Sequence, residues 1–548
     1  MLNFFSVLLI TEMLGWKIPF NPFVYLPIKY FSAIFVKNKR TMFEGKLNTT
    51  KVIRYIFLPR LNEIDRYATD AEEIQRNVLQ GLLKNAMDSE WGKKYKYKHI
   101  GSYSIYAKRV PIQTYDDIKP WVQRMMKGEQ NILWGNEINC FAKSSGTTSD
   151  KSKFIPVSKD ALEDTHYRGG KDAVAMYLRN NPESDFFGGK GVILGGSHVA
   201  YEANEEALVG DLSAILLEKI SPLVNYLRCP SKEIALMSEW ESKIEAIATS
   251  TMDVNVSSLS GVPSWMLVLV KDIMRRKGTD NLAEVWPNLE VFFHGGVSFS
   301  PYREQYEHII RSDKMHYVET YNASEGYFAT QNDFLDPAML LMIDYGIFYE
   351  FIPMDQFDAK HKVAIPLWDV EVGKNYAVVI STSSGLWRYM IGDTVRFTSK
   401  DPYKIVITGR TKHFINAFGE ELIIDNAEKG LLQACAATGA QINEYSAAPV
   451  FMDDNAKCRH QWIIEFSKDP DSFEKFRDIL DGTLKEVNSD YEAKRYRDIS
   501  LQKLELIVAR EGLFHDWLDL KGKLGGQHKV PRLSNTREYI EELLELNK

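Results

Sequence analysis

The chain contains few cysteines, and their spacing excludes the usual cysteine-based sites. Its 548 residues include four cysteines: Cys140, Cys229, Cys435 and Cys458. None of them lies in a C-x-x-C pair, so zinc-ribbon and thioredoxin-like sites lack the spacing that they need. So few cysteines in a long chain form no disulfide framework and fit a reducing compartment. A cytoplasmic location is therefore expected.

Excess positive charge and a long apolar run are also absent. The net charge is -7 at pH 7 and the pI is about 6.0. This balance argues against nucleic acid as the main partner, because phosphate binding needs a basic face. The uncharged N-terminal run Leu2–Ile10 has nine residues, whereas a membrane-spanning helix needs roughly 20. No stable membrane span is expected.

The first 36 residues are unusually apolar, and their role is open. They are rich in Leu, Phe, Ile and Val, and only Glu12, Lys17 and Lys29 are charged. A signal peptide would carry positive charge before its apolar run, and none is present here. Three interpretations remain: a core-packing helix, a membrane-surface anchor, or sequence upstream of a start near Met42.

Length and composition predict a globular protein with more than one hydrophobic core. A chain of 548 residues is expected to hold two to four domains or subdomains. A hydrophobic fraction of 45% and a charged fraction of 26% are typical of folded proteins rather than disordered ones.

Hydrophobic spacing changes along the chain in a way that predicts a mixed α/β fold. Residues 58–90 have helical spacing, residues 185–300 alternate between strand and helix patterns, and residues 337–410 are rich in strand-like runs. The predicted strands are Gly191–Leu194, Leu289–His294, Met315–Val318, Met339–Ile343, Ile347–Ile352, Tyr376–Thr382, Thr394–Phe397 and Lys404–Thr408. The clearest predicted helices are Val262–Lys277, Phe473–Asn488 and Tyr539–Leu546.

A change of pattern near Gly409–Lys412 predicts a domain boundary. We expect residues 1–410 to form a large domain of β-sheets flanked by helices, with a β-barrel-like subdomain. Residues 411–548 should form a small α+β domain. Residues 1–40 are an extension of the first domain.

The stretch Ser144–Lys153 has the composition of a phosphate-binding loop. It is rich in hydroxyl groups and contains one glycine and two lysines. Hydroxyls and backbone N–H groups donate to phosphate oxygens, and lysine neutralises their charge. The stretch is neither a Walker A loop nor a dinucleotide fingerprint. Taken alone, it also fits a solvated polar loop.

Four later stretches have equally modest signals when each is taken alone. Tyr321–Tyr327 could supply a carboxylate for Mg²⁺ and an aromatic ring for a base, or be an exposed turn. Trp387–Asp393 could supply an aspartate for ribose hydroxyls, or be a turn before a strand. Ile407–Glu420 offers Arg410 for phosphate or ribose, or is a polar connector. Gly525–Arg532 could bring Lys529 into a site on the large domain, or Lys529 could be one more surface lysine.

The order of these five stretches is more specific than any one of them. A Ser/Thr/Gly loop, Y-x-x-S-E-G, R-x-x-x-G-D, G-R-x-K-x-x-x-N-x-x-G and a late lysine together resemble the acyl-adenylate-forming superfamily. Within it, Ser144–Pro156 looks like the Gretchen Hagen (auxin-responsive) acyl-acid amido synthetase family. Gly261–Trp265, His294–Phe299 and Gly525–Arg532 look like the bacterial branch of that family. The resemblance runs from about residue 50 to the end.

The resemblance implies a role for each matching position. The implied phosphate loop consists of Ser144, Ser145, Gly146, Thr147, Thr148 and Lys153. The implied AMP contacts are Tyr321, Ser324 and Glu325, with Glu325 also near Mg²⁺, and the implied ribose contacts are Asp393 and Arg410. Lys412 matches the hinge position of the superfamily, and Lys529 the catalytic lysine. Lys521 and Lys523 compete for that last role, because this chain lacks the superfamily's usual P-x-x-x-x-G-K ending.

The resemblance also implies an activity and its partners. We expect ATP-dependent, Mg²⁺-assisted conversion of a carboxylic acid to an acyl-AMP, followed by transfer to an amine such as an amino acid. The neighbours of the nucleotide motifs, Val297, Phe299 and Tyr327, are candidates for the acyl pocket. The small domain is expected to rotate about Lys412 between the two steps, and a monomer is expected. A thioester-forming acyl-CoA ligase and a non-catalytic AMP-binding module are the alternatives.

Overall fold

The computed structural model describes most of the chain from residue 49 to residue 548. The gaps in the description are residues 145–152, 200–203, 205, 297–298, 358, 360–361, 412–413, 416–421, 451–458, 489–490, 493–494, 496–500, 523–529 and 535. The apolar N-terminal segment therefore lies outside the described residues. Among the helices that are described, none is both long enough and apolar enough to cross a membrane.

The strands fall into four sheets, and the helices cover the faces of these sheets. The strands are β1 Cys140–Ser144, β2 Lys153–Val157, β3 Lys190–Ile193, β4 His198–Val199, β5 Leu208–Gly210, β6 Arg228–Cys229, β7 Val256–Gly261, β8 Val291–Gly295, β9 His316–Ala323, β10 Gly326–Gln331, β11 Met339–Leu341, β12 Ile347–Pro353, β13 Ile365–Pro366, β14 Asn375–Thr382, β15 Tyr389–Lys400, β16 Tyr403–Arg410, β17 Phe414–Ile415, β18 Leu422–Ile423, β19 Gln441–Val450, β20 Arg459–Lys468 and β21 Glu505–Ala509.

The α-helices lie mostly before and between the strands of the parallel part and in the C-terminal region. They span Thr49–Asp65, Tyr67–Ala86, Glu90–Lys94, Tyr103–Arg109, Tyr115–Met126, Lys159–Ala161, Arg168–Asn180, Leu212–Lys219, Pro222–Tyr226, Lys232–Ala235, Trp240–Thr251, Pro263–Lys277, Leu282–Val285, Ser300–Ile309, Ile424–Thr438, Phe473–Val487, Leu513–Leu520 and Glu538–Leu546. A π-helical turn, Leu162–Tyr167, precedes Arg168–Asn180.

A 12-stranded sheet forms the body of the molecule and changes its pairing at β9. Its strand order is β13-β12-β14-β15-β16-β11-β10-β9-β8-β7-β3-β6. Strands β6, β3, β7, β8 and β9 pair in parallel, whereas β9 pairs with β10 antiparallel. Parallel neighbours need crossover connections, and helices Pro263–Lys277 and Ser300–Ile309 provide two of them on one face.

The two faces of the parallel half are packed differently. Val192, Leu259 and Phe292 face the crossover helices. The alternate positions, such as Phe293 and Val318, face the other side and join the largest apolar cluster. This second side also receives helix Arg168–Asn180, so the parallel half is buried on both faces.

The C-terminal region has its own three-stranded sheet, in the order β19-β20-β21. Helices Ile424–Thr438 and Phe473–Val487 pack with one apolar cluster beside this sheet. Helices Leu513–Leu520 and Glu538–Leu546 pack with a second cluster. The predicted fold class, a large sheet-rich N-terminal part with a small α+β C-terminal part, is confirmed.

The predicted elements agree closely with the structure except near the motifs. The helix predicted from Val262 begins at Pro263, which occupies the first helical turn. Two strands extend furthest beyond their predicted bounds: β9 continues to Ala323, and β15 begins at Tyr389. Tyr321 and Asp393 therefore lie within strands rather than in turns, because sheet pairing holds polar residues in an extended conformation that local propensity does not favour.

A buried ion pair anchors the helix Tyr103–Arg109 to the antiparallel half of the sheet. The Arg388 guanidinium donates through Nη2 to Glu350 Oε1 at 2.8 Å and through Nε to Oε2 at 2.9 Å. Its Nη1 donates to the carbonyl oxygens of Ala107 and Val110. The Arg388 and Glu350 side chains are 6% and 0% exposed. Arg388, part of the R-x-x-x-G-D motif, thus has a structural role.

Because each charge of this pair is buried, removing one partner should be more damaging than removing both. We expect Glu350→Leu and Arg388→Met each to lower the free energy of unfolding by about 3–5 kcal/mol, and the double variant to lose less than the worse single variant. Urea denaturation measures all three. Glu371→Gln, which breaks an exposed pair with Lys374, is the control and should change stability by less than about 1 kcal/mol. Additive losses would contradict the pairing argument.

Candidate active site

A cleft of about 1670 Å³ lies at the carboxyl ends of the parallel strands. Its walls come from β9, β15, β16 and the helix Ile424–Thr438, with Pro531 and Arg532 on the C-terminal side. Crevices at this edge of an open α/β sheet are common ligand sites. The cleft brings together several residues that were predicted from separate motifs: Ser144, Tyr321, Ser324, Glu325, Tyr327, Asp393 and Arg410.

Asp393 lies at the centre of a hydrogen-bonded group formed by three strands. Its Oδ2 accepts a hydrogen bond from the Tyr321 hydroxyl at 2.6 Å, and its Oδ1 accepts one from Arg410 Nε at 2.7 Å. Asp393 and Arg410 are directly paired across β15 and β16. Burial, and then the Asp393 charge, hold the pKa of Tyr321 well above its usual range, so Tyr321 remains a donor. Each carboxylate oxygen keeps further acceptor capacity for a ligand hydroxyl.

A tight hairpin between β9 and β10 presents Ser324 and Glu325 to the cleft. Ala323 and Gly326 are paired, so the turn contains only these two residues. The Ser324 hydroxyl is buried and has no hydrogen-bond partner among the described residues. Burial raises the pKa of Glu325, while the positive charge of Lys153 lowers it. Lys153 and Glu325 therefore act on each other across the cleft.

The phosphate-loop candidate begins and ends on two paired strands. Ser144, the last residue of β1, pairs with Lys153, the first residue of β2. The Lys153 ammonium lies 5.7 Å from the ring centre of Tyr115. Ser145, Gly146, Thr147 and Thr148 lie outside the described residues. The register nevertheless places both ends of the loop together, with Ser144 at the cleft wall.

The remaining predicted residues fall into three groups. Val297, Lys412 and Lys529 lie outside the described residues. Tyr327 contributes to the cleft wall, and its hydroxyl is hydrogen-bonded to Thr330 at 2.5 Å. Phe299, expected in the acyl pocket, does not line the cleft: it is 4% exposed and its ring stacks on His294 at 4.0 Å within the cluster behind the sheet.

Models of three consecutive domains of one family match this chain. The GH3 family N-terminal domain matches residues 60–315, the GH3 family central domain residues 340–410, and the GH3 family C-terminal domain residues 425–538. The chain belongs to the GH3 family. The family predicted from the order of the motifs is thereby confirmed, whereas its bacterial branch stays a prediction.

The similar curated proteins are plant members of the same family. The chain is 24% identical over 572 residues to the probable indole-3-acetic acid-amido synthetase GH3.1 of Arabidopsis thaliana, covering 88% of this chain and 92% of that protein. It is 25% identical over 569 residues to the jasmonoyl–L-amino acid synthetase GH3.5 of Oryza sativa subsp. japonica, covering 87% and 94%.

Solved structures share the GH3 fold over most of the chain. The GH3.15 acyl acid amido synthetase superposes with a TM-score of 0.73 at 18% identity, covering 89% of this chain and 96% of that one. A 2-hydroxyisobutyryl-CoA ligase in the postadenylation state superposes with a TM-score of 0.54 at 15% identity, covering 87% and 91%.

The GH3 cleft also contains charged residues that the motifs did not reveal. Arg532 is only 10% exposed, and it donates to Glu428 at 2.8 Å and lies 3.3 Å from Glu444. Its Nη2 donates to the Tyr302 hydroxyl at 3.3 Å, so Arg532 joins the C-terminal region to the helix Ser300–Ile309. These contacts join residues far apart in sequence, and only the position of Arg532 within Gly525–Arg532 hinted at a role.

Glu319, also missed, is a cleft carboxylate with an altered affinity for protons. It lies on β9 and its pKa is raised to about 7, first by burial and then by the negative charge of Glu428, while Arg303 lowers it. The folded protein therefore holds a proton on Glu319 at pH values where the unfolded chain has released it.

This raised pKa predicts how stability changes with pH. Because the folded pKa lies above the ordinary value of 4.5, the unfolded state binds fewer protons and stability falls as the pH rises from about 4.5 through about 7. Glu319→Gln should have wild-type stability at pH 4.5 and be about 2 kcal/mol more stable at pH 8.5. Urea denaturation at both pH values measures this, with the exposed Glu183→Gln as control. An equal effect at both pH values would exclude the raised pKa.

Proposed function

We propose that this GH3 protein is an ATP-dependent acyl-acid amido synthetase. It converts a carboxylic acid to an acyl-AMP and then joins the acyl group to an amine, for which an amino acid is the favoured class. The observation that carries this proposal is the convergence, in one cleft, of the Asp393 group with the Ser324–Glu325 hairpin. Lys153 is close enough to this hairpin for its charge to lower the Glu325 pKa. The relatives named as amido synthetases, aligned over 87–88% of this chain, support it.

The residues present fit an adenine nucleotide. The remaining acceptor sites of Asp393 suit the paired hydroxyls of a ribose, and Arg410 holds the carboxylate in place. The buried Ser324 hydroxyl, unpartnered within the described residues, is available to a phosphate oxygen. Leaving such a group unsatisfied costs about 1–3 kcal/mol, which a bound phosphate would recover. Ser144, Lys153 and the loop between them would hold the remaining phosphate oxygens.

Glu325 fits the ligand pattern expected for Mg²⁺. The described part of the chain contains no group of three or more His, Cys, Asp and Glu side chains arranged to hold a metal. Mg²⁺ commonly uses one or two carboxylates together with nucleotide phosphates, and Glu325 at the hairpin tip can supply one. When bound, Mg²⁺ would offset the negative charge that develops on the phosphates.

The chemistry divides into two steps that the cleft residues position. First, a carboxylate oxygen of the acid attacks the α-phosphorus of ATP, forming the acyl-AMP and breaking the bond to pyrophosphate. Second, the amine nitrogen attacks the acyl carbon, AMP leaves, and the amine loses a proton. The protein forms no covalent bond in this scheme, so alignment and charge stabilisation supply the acceleration. Lys153 would stabilise the charge of the first transition state.

We propose further that residues 411–548 act as a small mobile domain hinged at Lys412, with Lys529 as the catalytic lysine. The adjacent Thr411 N–H donates to the Gly392 carbonyl at 2.7 Å, so the segment leaves the sheet beside Asp393. Lys521 is a weaker candidate, because its ammonium pairs with Glu542 at 2.7 Å and lies away from the cleft walls. Lys523 and Lys529 both lie outside the described residues.

A thioester-forming acyl-CoA ligase is the second candidate, because the fold is shared with a CoA ligase. ATP–pyrophosphate exchange over aryl, indolic and fatty acids tests the first half-reaction. Acyl-AMP made from the best acid is then offered to CoA and, separately, to a set of amino acids. We expect amide products at rates at least 10-fold above those of the thioester. Faster thioester formation would select the ligase, and no exchange with any acid would favour an AMP-binding module.

The interaction between Lys153 and Glu325 predicts a shift in the pH profile of exchange. Glu325 must be ionised to bind Mg²⁺, so its protonation should set the acidic limb of kcat/KM. Lys153→Met removes the charge that lowers the Glu325 pKa, so the acidic limb should move to higher pH, besides an overall loss of about 100-fold. Lys127→Met, a surface change, should leave both unaltered. If the acidic limb of Lys153→Met stays at the wild-type pH, Glu325 does not set that limb.

A further inference from the structure

Arg228 is a buried cation at the edge of the large sheet, and most of its guanidinium finds no partner in the described part of the chain. It lies on the edge strand β6, is 4% exposed and contributes to the cleft wall. Its Nη1 donates to the Pro230 carbonyl at 2.8 Å. Its Nε and Nη2 are buried and have no hydrogen-bond partner among the described residues.

A buried charge without a partner is costly, and since Arg228 Nε and Nη2 have none among the described residues, Arg228 is suited to bind an anionic ligand. Truncating a partner of a buried charge is strongly destabilising because the remaining charge is uncompensated. Burial lowers the pKa of Arg228, and the nearby Glu233 only partly opposes this because it lies at the surface. Arg532, which is also largely buried, has Glu428 and Glu444 as partners. The difference marks Arg228 as a group whose partner is a ligand.

The strand register connects Arg228 to the nucleotide end of the cleft along one face of the sheet. Arg228 pairs with Gly191, and Gly191 with Ser258. Two residues further along β7, Ser260 pairs with Phe293, and Gly295 pairs with Thr320, next to Tyr321. We call this path of paired residues across the strands the track. Its members that line the cleft are Arg228, Gly191, Ser258, Ser260, Phe293 and Gly295. The track crosses four strand spacings, roughly 19 Å.

Between its two ends the track consists of small residues and one aromatic ring: Gly191, Ser258, Ser260, Phe293 and Gly295. Ala173 and Val174 of helix Arg168–Asn180 line it opposite the sheet, and Phe57 of helix Thr49–Asp65 contributes as well. At Gly191, a Cβ atom would lie 3.0 Å from the Ser258 hydroxyl, so a side chain there would crowd the track. An apolar channel that ends at an unpaired cation suits a molecule with an apolar body and an anionic tip.

We propose that the acyl substrate carries a second carboxylate at the end remote from the activated one, and that Arg228 binds it. This inference rests on the proposed function, and it names the substrate class of the same site. Allowing for the length of the arginine side chain, about 12 Å separates the two carboxylates. An extended chain advances about 1.2 Å per bond, so an α,ω-dicarboxylic acid of about ten carbons fits.

The charge distribution assigns this carboxylate to the acid rather than to the amino acid acceptor. The cleft-lining carboxylates of the described residues include Glu319, Glu428 and Glu444 at the C-terminal side, and none lies on β3, β6 or β7. An incoming amine is favoured at the acidic side, where the C-terminal region meets the cleft. The Arg228 end, four strand spacings from β9, therefore suits an anion carried by the acyl substrate.

The test compares decanedioic acid with its monomethyl ester in ATP–pyrophosphate exchange. For the wild-type protein we expect kcat/KM to be at least 10-fold higher for the diacid, because only the diacid offers an anion to Arg228. Arg228→Met should abolish this preference while exchange with the ester persists. Arg228→Lys should keep part of it, since the charge remains without the planar fork. Arg275→Met is the matched control and should change nothing, because Arg275 is an exposed arginine on the helix Pro263–Lys277.

A failure of the Arg228 inference can be distinguished from a failure of the proposed function. An equal diacid preference in wild type and Arg228→Met, or no preference in the wild type across diacids of six to fourteen carbons, overturns the proposal. If Arg228→Met changes only the preference between glycine and aspartate as acceptors, the proposal is also overturned. If no acid supports exchange, the proposed function fails, and calorimetric titration of decanedioic acid decides the Arg228 inference. Binding lost in Arg228→Met supports it, and equal binding overturns it.

Thermal denaturation measures the stability of the variants separately from their activity. Arg228→Met removes an unpaired buried charge, so its thermal midpoint without ligand should equal or exceed that of the wild type. Decanedioic acid should raise the midpoint of the wild type and not that of the variant. A variant midpoint that falls by several degrees would mean that Arg228 holds the sheet edge together, and would overturn the ligand role.

Discussion

The carboxylate of Asp393 is the interaction on which the cleft depends. It receives a hydrogen bond from Tyr321 on β9, where the sheet changes its pairing, and another from Arg410 on β16, where the chain leaves for the C-terminal region. Strand β9 is thereby fixed to the hairpin of β15 and β16, which lies far from it in sequence. In a site of low dielectric such charge-assisted bonds are strong and directional. The hairpin that carries Glu325 directly follows strand β9.

The change from parallel to antiparallel pairing explains why the cleft is where it is. The parallel strands end at one edge, where their connections turn away to crossover helices and leave a crevice. The antiparallel half then brings Asp393 and Arg410 back to the same edge. Burial on both faces leaves the parallel half rigid, and the Arg388–Glu350 pair fastens the antiparallel half to its covering helix. The site is thus built on strands and a two-residue turn.

Charge is distributed unequally along this cleft, so its two ends favour ligands of different charge. Carboxylates such as Glu319 and Glu428 gather at the side of the C-terminal region, where burial, and then the charge of Glu428, raises the pKa of Glu319. Arg532 offsets part of this charge and ties the two regions together. At the opposite end, Arg228 has no such partner among the described residues. An acid and an amine would therefore be drawn to different ends of one cavity.

The sequence by itself determined the fold class, the family and eight of the twelve strands of the large sheet, because alternating burial and the order of short motifs are local properties of the chain. It also indicated Tyr321, Glu325, Asp393 and Arg410 as site residues, but not that Asp393 would join two of the others. Only the tertiary structure decided that, and it alone removed Phe299 from the cleft wall and brought Arg228 to it. These outcomes depend on strand register, which shifts every side chain to the other face when it slips by one residue.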